Sequence, residues 1–167
     1  MIEAVEQHQG DADGIILASF GDTGIDAVRS RTSKPVVGIA HAALTTAAAA
    51  GRFAIVSFSP SVAPSLKAIV GHYGLLDHLD AVHVLPDAEW SDPGEIQTEL
   101  KAPLLQLCQD VAARGGIDAI VLGGGPLAGL APQFQKDLPL MLVDGTTAAI
   151  ARLRQLVSRT AWRPHPV

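Results

Sequence analysis

The chain has 167 residues, 48% of them hydrophobic and 17% charged, enough for one globular unit or two small lobes and too apolar for a disordered chain. Twelve Lys and Arg against 17 Asp and Glu give a net charge of -5 with no run of either sign, so neither a nucleic-acid backbone nor an anionic membrane surface is an expected partner. The apolar stretches fall well short of the about 20 residues of a spanning helix, and the start MIEAVEQHQG has no signal-peptide pattern, so no membrane span and no secretory signal are expected.

In chain order, a helix is expected over Ile2 to Gln9. Short Val-, Ile- and Leu-rich runs follow at 14–19, 35–40, 53–58, 81–85, 119–123 and 138–143. Stretches of helical spacing lie between them, the alternation of buried parallel strands with covering helices, so the fold class is α/β. DTGIDAVRSR is the first of these helices; HAALTTAAAA ends at Gly51 and VAPSLKAIVGHY at Gly74. PGEIQTELKAPLLQLCQDVAARGG is expected as one long helix, capped by Asp92 and kinked at Pro103. Each strand is nonpolar on both faces, so none reads as an edge against water, and a sheet edge or a partner is missing from the pattern. The tail RTAWRPHPV, with two prolines and no apolar period, is expected to be loosely held.

Ligands of open α/β sheets sit beyond the carboxyl ends of the strands, which singles out four turns. In ASFGDTG (18–24), Gly21 and Gly24 permit a turn whose amides face an anion or a carbonyl, or Asp22 simply caps the helix. SFSPSVAPS (57–65) carries more hydroxyls, Ser57, Ser59 and Ser61, than capping needs. LGGGPLAG (122–129) has three consecutive glycines, each costing about 1 kcal/mol of chain entropy, which argues for close approach to a ligand. In VDGTT (143–147), Asp144 serves either as a helix cap or as a ligand contact. Gly123, Gly125 and Ala128 also fit G-x-G-x-x-A, with Asp144 spaced for a ribose hydroxyl, a competing dinucleotide-binding reading. His72, His78 and His83 match no metal-ligand spacing, so no metal site is expected. Cys108, the only cysteine, falls at an apolar helix position and is expected to be buried and inert; with no internal disulfide possible, the chain fits a reducing, cytoplasmic compartment.

The runs LASFGDTGIDAVRSRTSKPVVGIAHAAL, GRFAIVSFSPSVAPSLKAIVGHYGL, GIDAIVLGGGPLAGLA and LPLMLVDGTTAAI together resemble the aspartate/glutamate/hydantoin racemase superfamily, closest to its hydantoin and allantoin racemase branch. The resemblance covers most of residues 12–157. It implies two similar parallel-sheet lobes with a substrate cleft between them, an outer lobe of 1–51 plus 138–167 and an inserted lobe of 52–137. It further implies that the outer lobe lacks its first strand, so the expectation is a homo-oligomer that covers the open edge, or else a low stability that an N-terminal extension supplying a strand and helix would relieve.

The resemblance also implies cofactor-independent chemistry, in which two cysteines face each other across the substrate's α-carbon. One thiolate removes the proton and the opposite thiol returns it, an exchange suited to a group with a pKa of about 8.5. Ser19 and Gly124 stand at those two positions. A hydroxyl is a far weaker acid and Gly124 has no side chain, so racemisation is expected to be weak or absent. His41, where the branch commonly carries an acidic residue, is a candidate base near neutral pH or else the first residue of an exposed helix. Ligand contacts on this reading are Phe20, Gly21, Asp22, Ser57, Ser59, Gly125 and Asp144, and the ligand is a small carboxylate or a cyclic ureide. A non-catalytic binder of the same ligands is the alternative from a different class.

Overall fold

The computed structural model describes residues 2–8, 10, 12–86, 89, 92 and 94–161; Trp90 and the end of the tail, 162–167, lie outside the described residues. The elements are α1 (Ile2–His8), β1 (Ile15–Leu17), α2 (Ile25–Arg29), β2 (Val36–Gly38), α3 (Ile39–Ala50), β3 (Phe53–Ser57), α4 (Ala63–His72), β4 (Leu79–Val84), α5 (Ile96–Glu99), α6 (Lys101–Arg114), β5 (Ala119–Leu122), α7 (Ala131–Phe134), β6 (Met141–Asp144) and α8 (Gly145–Ala161). All six expected strands form, with ends that differ from the sequence reading by at most three residues.

The strands make two parallel sheets, one of β1 and β2 and one in the order β4-β3-β5-β6. β3 and β5 are central and buried along their whole length, as their Phe-Ala-Ile-Val-Ser and Ala-Ile-Val-Leu sequences require. β4 departs from expectation: it is an edge strand with no fully buried residue, because nothing pairs with its outer side among the described residues. The opposite edge, β6, is closed by a side chain. Gln135 donates its amide to the Leu140 carbonyl (2.8 Å) and accepts from the Leu142 amide (2.9 Å), standing in for a neighbouring strand.

The pleat divides the core. Ala54 and Val56 with Ile120 and Leu122 pack under α6 and α7 against Leu104, Cys108, Val111 and Phe134. Phe53 and Ile55 with Val121 pack on the other face against Leu44, Ala47 and Val70 of α3 and α4. A small third cluster of Leu17, Ile25, Val28 and Val36 supports the two-stranded sheet. Within the outer-lobe segment as read from sequence, β6 hydrogen-bonds to β5, while α8 turns back to pack on α3, β1 and β2.

The long helix is two. α5 and α6 meet at Leu100, and Pro103 is the third residue of α6, in the first turn, where its missing N–H costs no bond. Asp92 is not the cap; its carboxylate accepts from the Gly94 amide (2.7 Å) in a turn ahead of α5. At the amino end of the larger sheet, Asp118 accepts from the Arg52 amide (2.8 Å), and its own amide donates to the Arg52 carbonyl (2.7 Å). At the carboxyl end, the Ser57 hydroxyl donates to the Gly123 carbonyl (2.6 Å). Two clasps thus bracket the β3–β5 ladder.

Candidate functional site

The four turns meet at the carboxyl ends of the strands. Asp144 sits in register beside Leu122, so the β6 turn adjoins the glycine turn, and Ser57 ties the β3 turn to Gly123. A methyl group on Gly125 would touch the Ala18 carbonyl at 3.6 Å, so the glycine turn also rests against the turn after β1. Ser19 and Gly124 therefore lie in two turns that touch.

Asp22 is the most committed side chain of the first turn. It is 4% exposed, with a positive φ of 47°, and one carboxylate oxygen accepts from the Ala40 amide (3.1 Å). The other accepts from the His41 amide (2.8 Å) and the Tyr73 hydroxyl (2.6 Å). Gly38, the N-cap of α3, has no side chain to cap the helix, so Asp22 caps it from another segment. Position 38 must be glycine for this to happen: a methyl group there would lie 2.2–2.5 Å from the Asp22 carboxyl atoms.

The other polar candidates are held in similar ways. Ser57 is fully buried with its proton on Gly123. Ser59 caps the short turn Pro60–Val62, accepting from the Ser61 amide. Asp144 is 1% exposed, and its two oxygens accept from the Thr147 amide (2.8 Å) and hydroxyl (2.9 Å) at the start of α8. Ser19 is exposed, Phe20 half-buried. The His41 ring packs edge-on against Tyr73 (4.7 Å between centroids) and borders a groove between α3 and α8 with Thr45, Ala148 and Arg152. Burial holds its pKa below the usual 6.5, against the pull of the Asp22 charge. Burial pushes the Cys108 thiol up to about 12, so it is fully protonated and unreactive at neutral pH.

What the turns leave free is backbone. The Asp22 amide donates to the Ser19 carbonyl, while those of Phe20 and Gly21 have no acceptor among the described residues; the same holds for Gly124 and Gly125. Four unpaired donors from two touching turns suit an anion or a carbonyl. Gly124 has φ 146°, and a methyl group there would meet the Phe58 ring at 2.9 Å. A side chain at 124 thus points at Phe58 and Leu127, in the core, on this backbone.

Sequence reasoning passed over three residues that shape this region. Tyr73 is the only tyrosine in the chain, which was the available signal. Gln97 of α5 donates to the Pro126 (2.8 Å) and Ala128 (2.9 Å) carbonyls and steadies the glycine turn. Phe58 walls position 124. Among the described residues, no group of three or more His, Cys, Asp or Glu could hold a metal ion, and no helix is long and apolar enough to cross a membrane.

The profile of the Asp/Glu/Hydantoin racemase family matches residues 1–153. A hydantoin racemase of Paenarthrobacter aurescens is 32% identical over 161 residues, covering 95% of this chain and 68% of that protein. One from Rhizobium meliloti is 30% identical over 156 residues, covering 91% and 64%. The allantoin racemase structure from Klebsiella pneumoniae superposes with a TM-score of 0.84 at 32% identity, covering 95% of this chain and 64% of that one. The chain thus spans about two thirds of the length of these relatives.

Proposed function

The chain belongs to the Asp/Glu/hydantoin racemase family, and from that premise we propose that its touching turns bind a small carboxylate or cyclic ureide and that racemisation there is weak or absent. The observation that carries this is the pairing of unpaired amides at Phe20, Gly21, Gly124 and Gly125 with the lack of a thiol in either turn. The amides can stabilise a carboxylate or an imide oxygen. Racemisation removes the α-proton on one face of the carbon and returns a proton on the other, which needs a base and an acid on opposite faces, and the residues at the two positions are a serine and a glycine. His41 is the candidate for any residual proton transfer, without a cofactor. On this reading Phe20, Gly21, Ser59 and Gly125 line the ligand, while Ser57, Asp22 and Asp144, whose polar atoms are engaged within the protein, act through the turns they hold. The compartment proposed is the cytoplasm.

A binder with no turnover is the alternative, and the same geometry serves it. The dinucleotide reading has less support, because Gly125–Leu127 is a short turn leading only to the four-residue α7, and both Asp144 oxygens are already engaged by Thr147.

Two measurements decide. In a thermal-shift series, allantoin, hydantoins or small dicarboxylates are expected to raise Tm and NAD to leave it unchanged; the reverse pattern would overturn the proposal in favour of the dinucleotide. Polarimetry with hydantoin, allantoin, aspartate and glutamate is expected to show little or no racemisation, with partial recovery in Ser19→Cys/Gly124→Cys. Robust turnover by the unmodified chain would sink the reading of the two positions.

We also propose a homo-oligomer built on the free edge of β1. Among the described residues β1 pairs with β2 alone, and beside it lies a groove of about 500 Å³ lined by Ile16, Ile150, Leu153 and Val157. Asp13 and Arg154 give the groove one charge of each sign, an arrangement that can pair with a second copy of the same surface. Light scattering is expected to give at least twice the 17.3 kDa chain mass, and a monomer at all concentrations would dismiss it.

A further inference from the structure

We propose that Tyr73 is a positioning residue for the binding turn: through its hydrogen bond to Asp22, it holds the Ser19–Gly24 turn in the shape that presents the Phe20 and Gly21 amides. The proposal rests on the ligand reading above for its purpose, and on the geometry alone for its existence. Tyr73 closes α4, which packs on β4 of the larger sheet, whereas Asp22 follows β1 of the smaller one. Their 2.6 Å bond spans 51 residues of sequence and links the end of α4 to the turn after β1. Asp22 has a backbone conformation that L residues seldom adopt, and such a conformation persists only where its surroundings over-determine it. Three donors do so here, the Ala40 and His41 amides and the Tyr73 hydroxyl. The two amides belong to the same helix start; the hydroxyl is the only one of the three that ties the carboxylate to α4. Without it Asp22 can still cap α3 through the two amides, but the carboxylate loses one of its three donors and the turn above it is held less firmly. The closing member is thus a group that touches no ligand.

The test is Tyr73→Phe, which keeps the ring against His41 and removes only the hydroxyl. Amide hydrogen exchange in the full chain is expected to quicken by about tenfold or more at Ala40 and His41, a hydrogen bond to a charged group being the term removed, with α6 amides unchanged. Where the unmodified chain binds allantoin or a dicarboxylate, the variant is expected to bind about tenfold more weakly. Asp22→Asn should give the same local pattern. Unchanged exchange at Ala40 and His41 in Tyr73→Phe, or equal quickening in α6, would overturn the proposal. If the unmodified chain binds neither ligand, the functional reading fails, while the exchange result still decides the role of Tyr73.

Discussion

Glycines at two positions govern what the site can hold. Gly38 is packed against a carboxylate, so Gly38→Ala must expel Asp22 from its cap, combining over-packing with the loss of charged hydrogen bonds. A loss of about 3 kcal/mol is expected in urea denaturation; a change below about 1 kcal/mol, within the range of a tolerated core change, would show that the carboxylate swings away freely. Gly124→Cys meets a different obstacle, its φ of 146° and the Phe58 ring. That substitution is expected to cost about 1–3 kcal/mol, and the thiol gains access to the cleft only if the peptide turns over or Phe58 is trimmed. Recovery of racemisation should therefore be larger in Ser19→Cys/Gly124→Cys/Phe58→Leu than in the double variant, and equal recovery would show that Phe58 yields unaided. From the sequence, Asp22 was legible as either a cap or a ligand contact; that it caps α3 and not its own helix is a fact of three-dimensional packing that no local pattern carries.

Elements were legible wherever burial on both faces produced unbroken apolar runs, as in Phe53–Ser57 and Ala119–Leu122. They were less legible where tertiary partners replaced strand neighbours. β4 reads as a buried strand from Ala81, Val82 and Val84 yet carries Asp80 and His83 and is an edge, and its partial burial comes from α4 and α6 on its faces. The split of the long helix at Leu100 was hidden because Pro103 fits the start of a helix as well as a kink. The β6 edge gives a test at this scale. Gln135 occupies the donor and acceptor at Leu142 and Leu140, so Gln135→Ala should uncover an edge of the sequence Met141–Asp144. Concentration-dependent association in sedimentation is expected to increase in the variant; unchanged behaviour would show that the edge is protected without the amide.

For the whole molecule, protonation offers a handle. His41 and His83 are both held below the ordinary 6.5, in each case chiefly by burial. Because folding lowers these values, the unfolded chain takes up protons first as pH falls. Their contribution to stability is complete above pH 6.5 and is lost as pH falls through that value, levelling off below the folded-state values. The urea midpoint should therefore drop from pH 8 towards pH 5, and His41→Gln should flatten part of the slope; a midpoint that rises on acidification would contradict the burial of both rings. At this scale the family resemblance supplied the two-sheet α/β plan, while the way α8 returns over β1 and β2 was visible only in the fold.

The clasps at the two ends of the β3–β5 ladder join residues 66 apart, Arg52 to Asp118 and Ser57 to Gly123. On a ribosome that separation is a delay. At about 5–20 residues per second, β5 emerges roughly 3–13 s after β3. For that interval β3, apolar on both faces, has at first no neighbour and then, once β4 has followed, β4 on one side alone. The vulnerable moment in the life of this chain is thus set during synthesis, and slower elongation lengthens it while a lower concentration of nascent chains makes it safer.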